Sequence, residues 1–221
     1  MPYGYNGRIA RIDLSSESFD VEELDEEFYR SYLGGRGIIA YFLFKELSPG
    51  VDPLSPDNKL IFATGVLTGI PIAGANRFSV GAKSPLTNMF GEAEAGGYFG
   101  PELKFAGYDA LIIEGKAKNP VYIWIHDESI EIRDADHIWG KTTKEAQEEI
   151  RRELNDKLVR IALIGPAGEN LVRFACILNE LKYANGRCGL GAVMGSKNLK
   201  AVAVRGRKKL KFKEDEKIRE I

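Results

Sequence analysis

Two stretches of this chain repeat each other at fixed spacing, and any fold it adopts must house both copies. Gly100, Ala110 and Gly115 are separated by 10 and 5 positions, and Gly191, Ala201 and Gly206 by the same intervals. Between alanine and glycine each copy carries an apolar run closed by a charge, Leu111-Ile112-Ile113-Glu114 in one and Val202-Ala203-Val204-Arg205 in the other. Upstream, each has an apolar strand running into glycine, residues 61–65 and 161–165, and then an Arg-Phe pair, Arg77-Phe78 and Arg173-Phe174. The upstream spacings differ, so the duplication is degenerate. The pattern predicts a doubled β unit, and its glycines admit two readings. They can simply permit tight turns. Alternatively, they expose backbone N–H groups that take phosphate oxygens, which would give a pseudo-two-fold platform suited to a ligand with two like halves.

The remaining periodicity predicts an α+β fold with mixed sheet, because strands and helices do not alternate as βαβ units. Residues 8–14 and 19–22 read as a hairpin turning at Ser15-Ser16-Glu17-Ser18. Asp25 is placed to cap a short helix ending at Leu33 before Gly34-Gly35, and a second helix over residues 37–47 is apolar on most sides and expected to be buried. Strands are expected at 59–64, 78–82, 109–114, 121–125, 130–133, 158–164 and 201–205. Thr142-Thr143-Lys144-Glu145 is a capping box opening a helix whose Ala146, Ile150 and Leu154 share one face. Residues 1–207 read as one domain. Residues 208–221, dense in charge, read as a solvated tail or a linker.

Composition narrows the function classes. With 44% hydrophobic residues the chain can bury a sizeable core, and a net charge of −1 provides no basic footprint for nucleic acid. The longest apolar run, residues 37–44, is far short of the roughly 20 residues of a membrane span, so no membrane partner is expected. The first residues lack the apolar stretch of a signal peptide, and a cytoplasmic location is the expectation. Cys176 and Cys188 are the two cysteines, too few for a disulfide framework or for the four thiolates of an ordinary iron–sulfur cluster.

Candidate chemistry is concentrated in the glycine-rich loops. Residues 186–197, GRCGLGAVMGSK, have neither the long helix nor the acidic ribose partner of a dinucleotide fingerprint, and Ser and Lys stand in the wrong order for a Walker loop. Glu92 and Glu94 alternate on one strand face, which favours a solvated or ion-paired role over metal ligation or general base work. Arg77, after a turn-rich stretch, could pair bidentately with a phosphate or be an ordinary surface arginine. His126 and His137 with the two cysteines lack metal-ligand spacing, and nothing in sequence activates Cys188.

Three longer stretches carry a family resemblance: residues 96–110, GGYFGPELKFAGYDA; residues 164–170, IGPAGEN; and residues 189–201, GLGAVMGSKNLKA. Together they resemble the N-terminal domain of the tungsten-containing aldehyde ferredoxin oxidoreductases, and the likeness runs from the Gly7-Arg8 hairpin to about Gly206. The resemblance implies two mixed β-sheets related by a pseudo-two-fold axis, with a few flanking helices. It implies a tungsten bis-molybdopterin (tungstopterin) lying across them, with Mg2+ bridging the pterin phosphates. By position, Arg77 resembles the arginine linking pterin to the iron–sulfur cluster. Gly96, Ala184, Gly186 and Arg187 resemble pterin contacts, with the Ala184 carbonyl as a magnesium ligand.

Two positions depart from the family pattern. Glu94 stands where an asparagine offers its carbonyl to magnesium, and Tyr183 stands where an arginine contacts the cofactor, with Lys182 adjacent. Family members are much longer, with helical domains that complete the cavity and supply the 4Fe-4S cysteines. The implied chemistry is oxidation of an aldehyde to a carboxylic acid with ferredoxin as electron acceptor, and this chain alone is not expected to perform it. It would act with cluster-bearing helical domains or a partner subunit. The alternative is a non-catalytic pterin-binding or assembly module, whose exposed face would favour homo-oligomers.

Overall fold

The computed structural model describes residues 3–212 together with residues 218 and 220. Met1, Pro2 and the other residues of the charged tail lie outside the described residues.

The chain opens with the expected hairpin, β1 (Arg8–Asp13) and β2 (Ser18–Glu23). Asp25 caps α1 (Glu26–Tyr32) by accepting the Phe28 N–H, and Leu33 ends it in the left-handed region. α2 (Arg36–Glu46) buries Ile38, Ile39, Phe42 and Leu43. Its expected burial on most sides is corrected, because Phe44 is 94% exposed. β3 (Leu60–Thr64), β4 (Phe78–Lys83), β5 (Phe90–Ala95), α3 (Phe99–Phe105) and β6 (Ala110–Glu114) complete the first half. The second half repeats the sequence of elements: a hairpin β7 (Val121–His126) and β8 (Ser129–Asp134), a short 3-10 turn at Asp136–Ile138, then α4 (Thr143–Glu153). It continues with β9 (Arg160–Leu163), α5 (Pro166–Glu169), β10 (Ile177–Asn179), β11 (Tyr183–Asn185), α6 (Leu190–Ser196) and β12 (Leu199–Arg205).

Among the described residues these strands form two six-stranded sheets, ordered β2-β1-β6-β3-β4-β5 and β8-β7-β12-β9-β10-β11. The two orders are one topology written twice. In each half the hairpin's first strand runs parallel to the last strand, and every other pairing is antiparallel. The repeated alanines explain why the spacing is kept: Ala110 opens β6 and Ala201 lies near the start of β12, each in the middle of its sheet and fully buried. One marker does not hold. Phe78 is buried at the start of β4, whereas Phe174 is 74% exposed and lies before β10 in the connection from α5.

The inner faces of both sheets share one core. Ile12, Phe62 and Leu111 of the first sheet join Ile123, Ala162 and Val202 of the second, with Phe99 and Leu103 of α3 and Val193 and Met194 of α6 between them. Each inner helix touches the other half's sheet as well as its own: α3 meets β12 and β9, and α6 meets β3 and β4. The outer faces are covered separately, the first by α1 and α2 and the second by α4. In α4 the capping box is present, with Thr142 Oγ1 accepting the Glu145 N–H and the Glu145 carboxylate accepting the Thr142 N–H.

Two buried lysines tie this arrangement together. Lys197 donates to the carbonyls of Pro56 (3.1 Å), Asn58 (2.5 Å) and Gly115 (3.1 Å), so the second half is pinned into the first. Burial lowers its pKa to about 8, so at neutral pH the ammonium still serves all three acceptors. Lys104 of α3 pairs with Asp109 at 3.2 Å, with both side chains 1% exposed. Asp109 also accepts the N–H groups of Asn6, Gly7 and Arg8 and the Tyr29 hydroxyl. At the start of the tail Lys208 N donates to Phe105 O and Gly4 N to Lys211 O, while residues 208, 209 and 211 stay exposed.

Removing one member of a buried pair strands the other's charge. Lys104→Met is expected to destabilise the chain by about 3–5 kcal/mol, read from urea unfolding at neutral pH. A loss under about 1 kcal/mol would mean that Asp109's hydrogen bonds alone carry its charge.

Candidate functional site

The edge strands β5 and β11 occupy equivalent places in the two sheets, and the fold sets them beside each other. They are not joined by a strand ladder. Side chains from the second half bridge the gap: Asn185 Nδ2 donates to Ala93 O at 2.7 Å, and Asn179 Nδ2 to Gly96 O at 2.9 Å. Cys188 Sγ lies 3.8 Å from Glu92 O, and Ser84 Oγ donates to Cys188 O at 2.8 Å. Two sheet edges that would otherwise be open templates are thus closed against each other.

Gly96 directly follows β5, and Gly186 directly follows β11. Neither has the left-handed backbone that would require glycine. A Cβ on Gly96 would make only ordinary contact, 3.6 Å from the Tyr183 ring, and one on Gly186 would lie 3.8 Å from Ala184. Packing therefore does not call for glycine at either place. What the missing side chains leave is open surface at both matching edges, beside the exposed Ala184 and Arg187. The glycines of the second loop behave differently. A Cβ on Gly195 would collide with the Gly168 carbonyl of α5, and one on Gly189 or Gly191 with the carbonyls of Arg173 or Cys176, so these glycines serve the close seating of α6. The conformational reading accounts for them, whereas no close contact calls for glycine at Gly96 or Gly186.

Beside β5 a cleft of about 300 Å³ is lined by Gly34, Gly35, Arg36, Gly65, Thr68, Gly74, Arg77 and Glu94 among others. Arg77 enters from the loop before β4. Its carbonyl is held by Thr68 Oγ1 at 2.7 Å, and Thr68 Oγ1 also accepts the Gly65 N–H. Arg36 comes from the first turn of α2, which has no side-chain cap. Glu94 lies between the two guanidiniums, 3.3 Å from Arg36 Nη2 and 3.7 Å from Arg77 Nη1. Glu92 shares Arg36 Nη2 at 3.2 Å, while its other oxygen is buried without a partner. The alternation of Glu92 and Glu94 does yield an ion-paired role. Both arginines are about two-thirds exposed, so an anion can reach them beside the glutamates that pair with them.

The structure thus gathers Arg77, Gly96, Glu92 and Glu94 along β5, and Ala184, Gly186 and Arg187 along β11. Arg187 is exposed and has no carboxylate within 4.0 Å among the described residues. Tyr183 packs beside Gly96 and Gly97, with Lys182 Nζ 5.5 Å from its ring. Sequence reasoning missed Arg36. Its signal was an arginine between glycines at a helix start, which reads equally well as a solvated first turn. His126, stacked on Trp124 and paired with Glu131, and His137, beside Glu153, sit at the hairpin end of the second sheet, opposite β11. Among the described residues no group of three or more His, Cys, Asp or Glu is arranged to hold a metal, and no helix is long and apolar enough to cross a membrane.

Comparison with known proteins places the sequence and the fold. The sequence pattern of the aldehyde ferredoxin oxidoreductase N-terminal domain matches residues 9–206. A tungsten-containing aldehyde ferredoxin oxidoreductase of Pyrococcus furiosus is 58% identical over 93% of this chain, and one of Pyrococcus abyssi is 54% identical over 99%. The WOR-like subunit of an aliphatic sulfonate oxidoreductase from Pyrococcus furiosus is 45% identical over 92% of the chain. The chain spans only 34 to 36% of the length of these relatives. Among solved structures, a chain of the BamBC active-site complex of benzoyl coenzyme A reductase, bound to 1,5-dienoyl-CoA, superposes with a TM-score of 0.93 at 44% identity. That match covers 95% of this chain and 32% of the other.

The contrast between the two kinds of glycine can be checked by thermal unfolding. Gly195→Ala is expected to cost at least about 1–3 kcal/mol through overpacking, whereas Gly186→Ala stays within about 0.5 kcal/mol of the parent. Equal losses would remove the argument that Gly186 is kept open for a ligand.

Proposed function

The chain belongs to the aldehyde ferredoxin oxidoreductase N-terminal domain family, and from that membership we propose that it is the cofactor-binding third of a tungsten oxidoreductase. The observation that carries this is the pair of unforced glycines, Gly96 and Gly186, directly after topologically equivalent edge strands. A flat cofactor with two like halves needs two uncrowded backbone surfaces side by side, and the ends of β5 and β11 provide them.

The residues present fit a tungstopterin. Arg77 and Arg187 supply guanidiniums for phosphate oxygens, and the backbone at Gly96, Ala184 and Gly186 is open to close approach. Magnesium usually takes one or two carboxylates together with ligand phosphates rather than a full protein cage. The Ala184 carbonyl, with Glu94 nearby on the facing edge, suits that habit. The bound tungsten would supply the two-electron oxidation of an aldehyde to a carboxylic acid. The chain's own part is to seat and orient the cofactor and to neutralise its phosphates.

A 4Fe-4S cluster does not fit the described residues, since Cys176 and Cys188 are the two cysteines the chain offers. We therefore assign the cluster, the substrate pocket and delivery of electrons to ferredoxin to the helical portion that its relatives' extra length represents. Residues beyond about 207 would lead to that portion. Unpaired cysteines accord with a reducing, cytoplasmic setting.

The decisive experiment is purification of the native protein, followed by metal analysis and oxidative conversion of any bound pterin to its fluorescent product. Tungsten, pterin and a cysteine-rich partner or continuation in stoichiometric amounts are expected. A pterin-free protein alone under these conditions would defeat the assignment. Loss of one charged contact is worth about 1.5–3 kcal/mol, so Arg77→Ala and Arg187→Ala should each lower pterin occupancy by about tenfold or more at limiting cofactor.

A further inference from the structure

The corner at residues 96–98, which joins β5 to α3, is held from the other half of the molecule. Tyr98 N donates to Glu180 Oε2 at 2.9 Å, and Asn179 Nδ2 donates to Gly96 O at 2.9 Å. Asn179 Nδ2 also donates to Glu180 Oε2 at 2.9 Å, which locks the two side chains to each other. One donor and one acceptor of the corner are thus taken by consecutive residues at the tip of the β10–β11 hairpin. Gly97, at φ +91°, has no room for a Cβ, which would strike the Glu180 carboxylate, the Asn179 amide and the Tyr183 ring.

The tip is shaped for this grip at some conformational expense. Glu180 and Leu181 both adopt left-handed φ, 50° and 57°. Tight two-residue turns of this kind normally take Asn, Asp or Gly. Residues kept in such regions persist where surrounding contacts over-determine them, and they cluster at ligand clamps. Here Glu180 is held by the Tyr98 N–H of the corner and by Asn179, which itself bonds Gly96 O.

We propose that Glu180, acting with Asn179, is a positioning residue that fixes the glycine corner and so sets where Gly96 meets the cofactor. The functional part rests on the assignment of Gly96 as a cofactor contact, and the grip itself can be tested without cofactor. The surroundings of the carboxyl bear on its proton. Glu180 Oε1 and Asn179 Oδ1 are both buried and both lack a partner. A proton on Oε1 turns that atom into a donor, while Oε2 keeps accepting from Tyr98 and Asn179. The charged groups facing Glu180 are Arg160 of β9 and Arg151 of α4. Neither forms a salt bridge with it within 4.0 Å among the described residues. Arg160 stacks on the Tyr98 ring at 4.7 Å, and Arg151 donates to Val159 O. Burial pushes the Glu180 carboxyl up, outweighing the Tyr98 N–H, the Asn179 amide and the two arginines that favour the anion. Each donor binds the anion more strongly, but burial disfavours that anion more, so the closed corner loses stability relative to an opened one as pH rises above the ordinary carboxylate range.

Amide exchange at Gly97 and Tyr98 in the full chain reads the grip directly, with core amides of β6 as the folding control. Relative to those core amides, wild-type protection of Tyr98 should fall as pH is raised from below the ordinary carboxylate range to above neutrality. Glu180→Gln, whose amide supplies the donor permanently, should keep the low-pH protection throughout that range. Glu180→Ala should lack it at every pH while the core stays protected. Full protection of Tyr98 in Glu180→Ala would overturn the positioning role. Wild-type protection that does not change with pH, matching Glu180→Gln, would overturn the neutral-acid assignment. If Glu180→Ala perturbs the fold, the pH profile of wild type against Glu180→Gln still decides. Bound pterin in the native protein separates the two claims. A loosened corner with lowered pterin content supports both, and a loosened corner with unchanged content defeats the role of Gly96 while the grip stands.

Discussion

The buried carboxylate of Asp109 is the point on which the first half depends. It gathers three consecutive backbone N–H groups of the N-terminal segment, the hydroxyl of Tyr29 on α1 and the ammonium of Lys104 on α3. Those groups lie far apart in sequence, so one side chain fixes how the first hairpin, the outer helix and the inner helix are mutually placed. A charge that is 1% exposed is tolerable only with this many donors. Lys104 extends the network to the cleft, because the same ammonium donates to Gly65 O at 2.7 Å, and Gly65 lines the cleft beside Arg77. Stability of the core and the shape of the cleft thus share one ion pair. Burial lowers the Lys104 pKa against the pull of Asp109, which marks how much the pair depends on its partner.

What could be read in the sequence follows from length and period. The hairpin, the long apolar strands and α4 carry enough residues for alternation or a cap to show, and they lie where expected, with ends shifted by a residue or two. The doubled unit was visible because Ala110 and Ala201 sit at positions that admit little else, in the centre of their sheets. β10 and β11 have three residues each, too few for any period. α3 has seven residues between Gly97 and Gly107 with Pro101 in its first turn, a composition that reads as loop until the missing N–H groups are seen to be those a helix start does not use. The candidate surface was legible as a set of names and not as an arrangement. Arg77 and Arg187 come from loops, and what makes Gly96 and Gly186 unusual is the absence of any packing demand, which no sequence displays. The bridging asparagines, Asn179 and Asn185, were invisible for the same reason: their partners are 83 and 92 residues away.

The duplication gives two matching edges without giving two matching sites. Between β3 and β4 the first half keeps an open, turn-rich loop, so that Arg36, Arg77 and Glu94 surround a cleft. Between β9 and β10 the second half folds the equivalent connection into α5, which packs on α6, with Glu169 and Lys200 paired beneath. The backbone scaffold is therefore two-fold while the charge placed on it is not. A ligand with two like halves would meet the same strand edges and different side chains. One half would lie beside guanidiniums already engaged by Glu92 and Glu94, and the other beside Arg187 with no such partner. Carboxylates next to phosphates are repulsive unless a cation lies between them. On this platform a symmetric ligand would meet unequal charge, arginines paired with Glu92 and Glu94 on one side and Arg187 on the other.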